Sequence, residues 1–382
     1  MIDTERLVET FKCLVAIDSQ SKEEKTISAE IERILSELGA ETHVDNAAEK
    51  TGSNTGNLFA RFNGNTDVPP LLLNAHMDTV SPGTGITAVF KDGIFTSDGA
   101  TILGADDKSA IAILIETIRV LIENELPHGP LEVVFTVCEE IGLLGAKHLD
   151  FGKITARYGF ALDATDTGGV ITRAPSANRL EFKVHGKDAH AGAAPEKGIN
   201  AIALAGKAIA GLEIGRVDRE TTCNIGVIEG GDAINIVPKL VTVKGEVRSH
   251  NEVKLDRVTD KIVSSFEDVI DSYKRTGTDD DLPRLDVLIE RDFSYTHIPE
   301  NHPVVSLARQ ASENLGREMV TKTTGGGADA NIFFEKGIVT GVLGTGMKDM
   351  HTVRESISLA DMIQTTELMI EIISLHAKGK TI

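Results

Sequence analysis

Five short stretches of this chain carry residue types that hold metal ions or move protons. Leu71-Leu-Leu-Asn-Ala-His76-Met-Asp78 closes an apolar run on a histidine, and Gly104-Ala-Asp106-Asp107-Lys108 opens a helical pattern on two aspartates. Leu131-Glu-Val-Val-Phe-Thr-Val-Cys-Glu139-Glu140 closes a second apolar run on paired glutamates. Asp163 follows the run Tyr158–Leu162, and His351 sits in the Gly-rich stretch 344–355. A neutral imidazole at the end of a strand is a common metal ligand, and Asp78 could orient it through its other ring nitrogen. Adjacent carboxylates at the end of a buried strand repel each other and need a cation or a proton. A metal would settle them, with one glutamate as ligand and the other free as a general base.

Each stretch alone is weak. The H-x-D spacing recurs at His148-Leu-Asp150, which no strand precedes, and that copy reads as structural. Acidic residues favour helix N-termini on dipole grounds without any metal. Glu23-Glu24 is a second glutamate pair and reads as part of a solvated, charged helix surface. A lone Asp163 or His351 is usually structural. Location gives the set its weight, because ligands of open α/β sheets gather beyond the carboxyl ends of the strands.

The elements that must position these residues follow from periodicity. Apolar spacing of three and four predicts helices over 4–16, 24–38 and 108–122. Short runs over 57–62, 71–75, 131–138 and 158–162 read as strands, and 88–96 as a hairpin around Lys91-Asp92-Gly93. Alternating strands and helices indicate an α/β domain with a mostly parallel sheet. After about residue 174 the order becomes β-α-β-β-α-β (180–184, 201–212, 223–228, 237–247, 253–273, 285–289), the split motif of ferredoxin-like folds. Its expected flexible loop is 274–281. Beyond 296 the α/β style returns, with helices over 303–315 and 359–376 and a strand over 338–343. The organisation expected is one discontinuous domain, 1–174 and 296–382, with a smaller α+β domain, 175–295, inserted in it.

Among the 382 residues, 39 are Lys or Arg and 58 are Asp or Glu, a net charge of −19. That balance argues against nucleic acid and against anionic lipid as partners. Cys13, Cys138 and Cys223 are odd in number, far apart and without a C-x-x-C, so neither a disulfide framework nor a thiolate zinc site is expected. The acidic, amphipathic N-terminal segment lacks the pattern of a signal peptide, and no apolar run reaches the ~18–20 residues of a membrane helix. The expected setting is the cytoplasm, with no membrane partner.

Read jointly and in order, His76-x-Asp78, Gly-x-Asp106-x-Lys108, Glu139-Glu140, Asp163, Gly186-Lys-Asp-Ala-His190-Ala-Gly and His351 resemble a known family. It is the di-zinc exopeptidase family of peptidase T, glutamate carboxypeptidase, aminoacylase and succinyl-diaminopimelate desuccinylase. The Leu-Gly-Ala-Asp-Asp-Lys wording at 103–108 is most similar to its peptidase T branch. The resemblance implies an α/β phosphorylase/hydrolase-like zinc exopeptidase catalytic domain with an inserted ferredoxin-like lid. It implies two Zn2+ ions, with Co2+ or Mn2+ as alternatives: one held by His76 and Asp163, the other by Glu140 and His351, with Asp106 bridging. Glu139 would be the general base acting on a bridging hydroxide, Asp78 the partner of His76, and His190 the donor to the oxyanion. Arg248, Asn235, Gly344 and Gly346 would bind substrate. His185, just before the lid motif, reads as a structural strand residue.

The resemblance further implies a cis Asp106–Asp107 peptide, a short peptide as substrate and a homodimer through the lid. The implied reaction is that of an aminopeptidase acting on tripeptides. The alternatives are a dipeptidase, an N-acyl amino-acid deacylase or, from another class, an inactive peptide-binding protein, for which the complete ligand set gives no support. One departure stands out. The peptidase T pattern carries Arg-Gly-Gly-Thr-Asp, whereas this chain reads Thr324-Gly-Gly-Gly-Ala-Asp329, so Thr324 replaces a substrate-anchoring cation.

Overall fold

A computed structural model describes residues 1–274 and 281–379, and most of the loop expected at 274–281 lies outside the described residues. The chain forms two compact units. One comprises Met1–Arg173, Thr296–Thr324 and Ala328–Ile382; the other comprises Ala174–Tyr295 and Gly325–Gly327.

The first unit is built on a nine-stranded sheet. Its order is Glu41–Val44, Leu58–Phe62, Leu131–Thr136, Leu71–His76, Tyr158–Ala164, Val339–Gly344, Gly169–Ala174 and Thr296–His297, with Val320–Thr323 also pairing to Gly169–Ala174. The four strands from Leu131–Thr136 to Val339–Gly344 run parallel. The alternation of their side chains assigns them to two cores. Leu71, Leu73, Ala75, Val133 and Phe135 face one apolar cluster, while Leu72 and Val134 face another with Phe59 and Phe333. Burial on both faces is why these strands read as unbroken apolar runs rather than alternating ones. Gly159 permits the tight neighbouring register, since a Cβ there would sit 2.1 Å from the Leu72 carbonyl oxygen.

The helices Thr4–Val15, Ala105–Glu123, Pro303–Asn314 and Leu359–Ala377 contribute to the larger cluster. Thr4–Val15 starts where the Asp3 carboxylate caps the Arg6 N–H at 3.0 Å and buries Leu7, Phe11 and Leu14. It is tied to Ala105–Glu123 by a bidentate pair. Arg6 Nε and Nη2 donate to Glu116 Oε2 and Oε1 at 2.8 and 2.9 Å, and the Asp3 N–H adds a third bond at 2.9 Å. The helical pattern expected from Lys108 onward is regular, but Asp106 and Asp107 in front of it have non-helical backbone and the peptide between them is cis.

The second unit carries an antiparallel five-stranded sheet in the order Gly215–Arg216, Thr221–Gly230, Leu240–Ser249, Ser176–His185, Arg284–Phe293. Two helices, Ala201–Ala210 and Glu252–Asp271, share a core with it around the stacked rings of Phe182 and Phe266. This is the expected β-α-β-β-α-β unit, with the small Gly215–Arg216 strand added at its edge. The sequence reading missed that strand and several short elements of the first unit, including Glu41–Val44, Gly169–Ala174 and the helix Asp329–Glu335.

Glu116 is 1% exposed and Arg6 26%. Arg6→Ala therefore leaves a buried carboxylate without its cation and is expected to cost about 3 kcal/mol. Urea unfolding followed by circular dichroism measures this. The double substitution Arg6→Met with Glu116→Leu is expected to recover most of the loss; an equally unstable double variant would contradict this account of the pair.

Candidate active site

The cluster assembles at the carboxyl ends of the parallel strands. His76 is the last residue of Leu71–His76, Glu139 and Glu140 follow Leu131–Thr136, and Asp163 lies near the end of Tyr158–Ala164. Asp106 reaches them from the non-helical turn before Lys108, and His351 comes from the loop after Val339–Gly344. The two oxygens of Asp106 each meet an imidazole: His76 Nε2 lies 3.1 Å from Oδ1, and His351 Nε2 lies 3.1 Å from Oδ2. His351 Nε2 also lies 3.0 Å from Glu140 Oε1. Ligand atoms of His76, Asp106 and Glu140 fall within 4.8 Å of one another.

Burial and charge act together on these groups. Burial pushes the Asp106 carboxyl up, but the imidazoles of His351 and His76 overcome it and hold the group below the usual carboxylate range. Burial pushes His76 down, and the carboxylates of Asp106 and Asp78 more than reverse that. Asp106 and Glu140 raise the half-exposed His351 to about 10. Burial drives the Glu139 and Asp163 carboxyls well above the ordinary range, with neighbouring carboxylates adding to the effect. In Glu140 burial again raises the carboxyl, against the hydrogen bond from His351.

These groups fit a divalent metal. Imidazole nitrogens and carboxylate oxygens converge on shared points, and the packed acids need positive charge. Lys108, the buried cation next in sequence, gives its ammonium instead to the Ile17 carbonyl at 2.6 Å.

Three further carboxylates shape the loops. Asp78 Oδ1 accepts the Glu139 N–H at 2.9 Å, and its Oδ2 accepts the Glu140 N–H at 3.2 Å and the Ser21 hydroxyl at 2.7 Å. His76 Nδ1 lies 3.0 Å from the Asp78 backbone oxygen and 3.4 Å from its Oδ1. The histidine is therefore oriented mainly by the peptide of Asp78, while the carboxylate holds the glutamate pair.

Glu24 corrects the sequence reading. Glu23 is exposed as expected, but Glu24 is fully buried. Its Oε1 accepts the N–H groups of Lys22 and Cys138 at 3.0 and 2.9 Å, and its Oε2 accepts the Ser53 hydroxyl. Cys138 has φ +53°, a left-handed conformation uncommon for a side-chain-bearing residue, directly before Glu139. The third carboxylate, Glu355, accepts three backbone N–H groups of the 103–106 turn. Nothing local in the sequence marks Ser21, Glu24 or Glu355, since their partners lie far along the chain.

Asp329 begins the helix Asp329–Glu335 and accepts the Thr136 hydroxyl through Oδ2. Gly344 and Gly346 are buried. A Cβ at Gly344 would meet the Asp166 backbone at 2.3 Å, and one at Gly346, with φ +94°, would meet Asp361 at 2.2 Å. Packing accounts for both glycines. Thr324 donates its N–H to the Arg173 carbonyl at 2.9 Å.

The remaining candidates belong to the second unit. His190 is exposed, and its Nδ1 accepts the N–H groups of Gly192 and Ala193, both at 3.2 Å. That pairing puts the proton of the neutral ring on Nε2. Asn235 lies in the loop before Leu240–Ser249 and accepts the Ala191 N–H at 2.9 Å through its backbone oxygen. Arg248 lies within that strand, not after it; its guanidinium donates to Glu246 Oε2 at 2.9 Å and to the Gly325 oxygen at 3.3 Å. His185 ends Ser176–His185 and pairs with Asp286 at 2.7 Å, the structural role expected of it.

Residues 175–274 match the peptidase dimerisation domain of M20 enzymes, and residues 57–190 match peptidase family M28. The chain is 40% identical to the crystal structure of aminopeptidase PepT from Bacillus cereus, covering 98% of this chain and 99% of that one, with a TM-score of 0.86. It is 36% identical to a tripeptidase structure from Staphylococcus aureus, covering 99% and 100%, with a TM-score of 0.90. An uncharacterized protein of Bacillus subtilis, YqjE, is 39% identical over 99% of this chain and 100% of its own length. With identity at this level over almost the full length, the chain belongs to the peptidase T-like M20 family of metallopeptidases.

Proposed function

We propose that the protein hydrolyses the N-terminal amide bond of short peptides, as a tripeptidase-like aminopeptidase using two metal ions, Zn2+ or in its place Co2+ or Mn2+. The observation that carries this reading is the Asp106 carboxylate with one imidazole on each oxygen. His76 and Asp163 would hold one ion, Glu140 and His351 the other, and Asp106 both. When bound, such a pair acidifies a water toward a pKa of about 7 and polarises the scissile carbonyl.

The chain's own residues supply the rest. Glu139 Oε takes the proton of the attacking water and returns it to the leaving amine. Its backbone, fixed by Asp78 and by the neighbouring Glu24–Cys138 bond, keeps that carboxylate in one place. Asp78 also orients His76 through its peptide oxygen. His190, with Nδ1 engaged, donates from Nε2 to the developing oxyanion. Arg248 anchors the substrate carboxylate through what remains of its fork. Asn235, Gly344 and Gly346 are added here as substrate-side residues, the glycines through their backbone N–H groups.

A second reading, dipeptidase or N-acyl amino-acid deacylase, rests on Thr324 standing where the peptidase T pattern has arginine. The match of 175–274 to a dimerisation domain supports a homodimer through that unit, and the edge strand Arg284–Phe293 exposes Val287, Leu288 and Ile289. A cytoplasmic setting fits the three unpaired cysteines, and no helix among the described residues is long and apolar enough to cross a membrane.

Three outcomes are expected. Glu139→Gln retains its metal by elemental analysis while kcat on an unblocked tripeptide falls about 100- to 10,000-fold; turnover equal to wild type removes Glu139 as the base. Mass-spectrometric analysis of digests is expected to find the free first residue of tripeptides released, and cleavage confined to N-acyl amino acids ends the aminopeptidase reading. In the metal-free protein the neighbouring carboxylates favour the protonated imidazoles, raising His76 and taking His351 to about 10. Zinc uptake must then release protons, so apparent affinity rises with pH. Calorimetric titration in buffers of different ionisation enthalpy reads that release, and a buffer-independent heat contradicts it.

A further inference from the structure

Glu355 has no place in the chemistry above, yet it is 1% exposed and fully engaged. Its Oε2 accepts the N–H groups of Leu103 and Gly104 at 2.8 and 2.7 Å, and its Oε1 accepts that of Asp106 at 2.9 Å. The backbone that receives this help has no regular alternative. Gly104 has φ +74°, Asp106 and Asp107 are non-helical, and N–H groups at the start of a helix have no partner within it, so these donors need an acceptor from elsewhere in the chain. Without the carboxylate, buried N–H groups would be left unpaired beside the site, at a cost that favours a rearranged turn.

The other end of Glu355 is equally constrained. The loop that carries His351 is closed by a reciprocal pair, Lys348 N–H to Ser356 oxygen at 2.9 Å and Ser356 N–H to Lys348 oxygen at 3.1 Å. Inside it, the Glu355 N–H donates to the Thr352 oxygen at 3.1 Å and the Thr352 hydroxyl to the Asp349 oxygen at 2.8 Å. His351 itself has φ +61°, so its orientation depends on the loop around it. Glu355 therefore joins the turn that presents Asp106 to the loop that presents His351, residues far apart in the chain whose side chains meet at 3.1 Å.

We propose that Glu355 is a positioning residue that makes Asp106 and His351 one preformed unit, and that, Asp106 being assigned to both ions, it governs through the His351 loop the affinity for the ion assigned to Glu140 and His351 more than for the ion assigned to His76 and Asp163. The selectivity follows from where the tether acts. His76 and Asp163 are fixed by strands of the central sheet, whereas His351 has only its loop. Replacing one oxygen by an amide turns an acceptor toward an N–H donor, while the volume stays the same. The inference rests on the two-metal reading of the site.

The test is Co2+ titration of the metal-free full-length protein, followed by its visible absorption and by equilibrium dialysis, for wild type, Glu355→Gln and Glu355→Asp. Wild type is expected to bind two ions. Glu355→Gln is expected to bind one as tightly as wild type and the other about 10- to 100-fold more weakly, with a changed spectrum for the weak ion. Glu355→Asp, which keeps the charge, is expected to recover part of that loss. Two ions bound at wild-type affinity in Glu355→Gln, or an equal loss at both positions, overturns the inference. A wild type that binds no metal overturns the reading beneath it instead. If neither variant accumulates folded, hydrogen exchange of the wild type decides. The amides of Leu103, Gly104 and Asp106 are expected to open together with the 348–356 loop and to slow together when zinc is added, and independent opening of the two segments overturns the inference.

Discussion

The structure turns on the Asp106 carboxylate, buried and shared by two imidazoles, at a point where burial alone would drive it to its neutral form. A carboxylate kept ionised in a dry interior must be matched by cations or by hydrogen-bond donors. Around it stand Glu139, Glu140 and Asp163, all raised by burial and by neighbouring carboxylates. Such a cluster is unfavourable as protein alone. It becomes reasonable as a cradle for positive charge, and the parallel sheet is the scaffold that allows it, because successive strands end side by side.

That crowding explains the second set of buried acids. Asp78, Glu24 and Glu355 are not offered to a metal; they are occupied by backbone N–H groups of the loops carrying Glu139, Glu140 and Asp106. These loops adopt conformations that ordinary helices and strands cannot supply, such as φ +53° at Cys138 and the non-helical turn at Asp106. A carboxylate is a strong, two-armed acceptor, and bonds to an ionised acceptor exceed neutral ones in strength. Acids thus serve here in two ways: as ligand candidates and as the frame that aims them.

How much of this was legible from residues alone differs by level. The apolar runs Leu71–His76, Leu131–Thr136 and Tyr158–Ala164 announced a sheet buried on both faces, and the change to alternating strands after residue 174 announced the second unit. Short edge elements such as Glu41–Val44 and Gly169–Ala174 left no periodic trace, since their residues are held by pairing rather than by a repeating apolar face. His76, Asp106, Glu140 and His351 could be named because each stands beside a strand end or a Gly-rich turn. Glu24 could not, because a glutamate pair at the start of an amphipathic helix is most often solvated, and only the approach of Cys138 makes it a buried acceptor.

The sequence by itself determined which groups are available and in what order they arrive: two histidines and a set of acids at the ends of apolar segments, with −19 of net charge that argues against polyanionic partners. Local propensity suffices for that, because strand and helix periodicity is written in neighbouring residues. Only the tertiary structure decided which acids meet the imidazoles and which are consumed by backbone donors. Asp78 and His76 are near neighbours, yet the Asp78 carboxylate turns to Glu139 and Glu140; Glu355 follows His351, yet it holds the turn before Lys108. The physical reason is that a buried carboxylate goes where unpaired donors are left over. Those donors are exposed only when distant loops pack together.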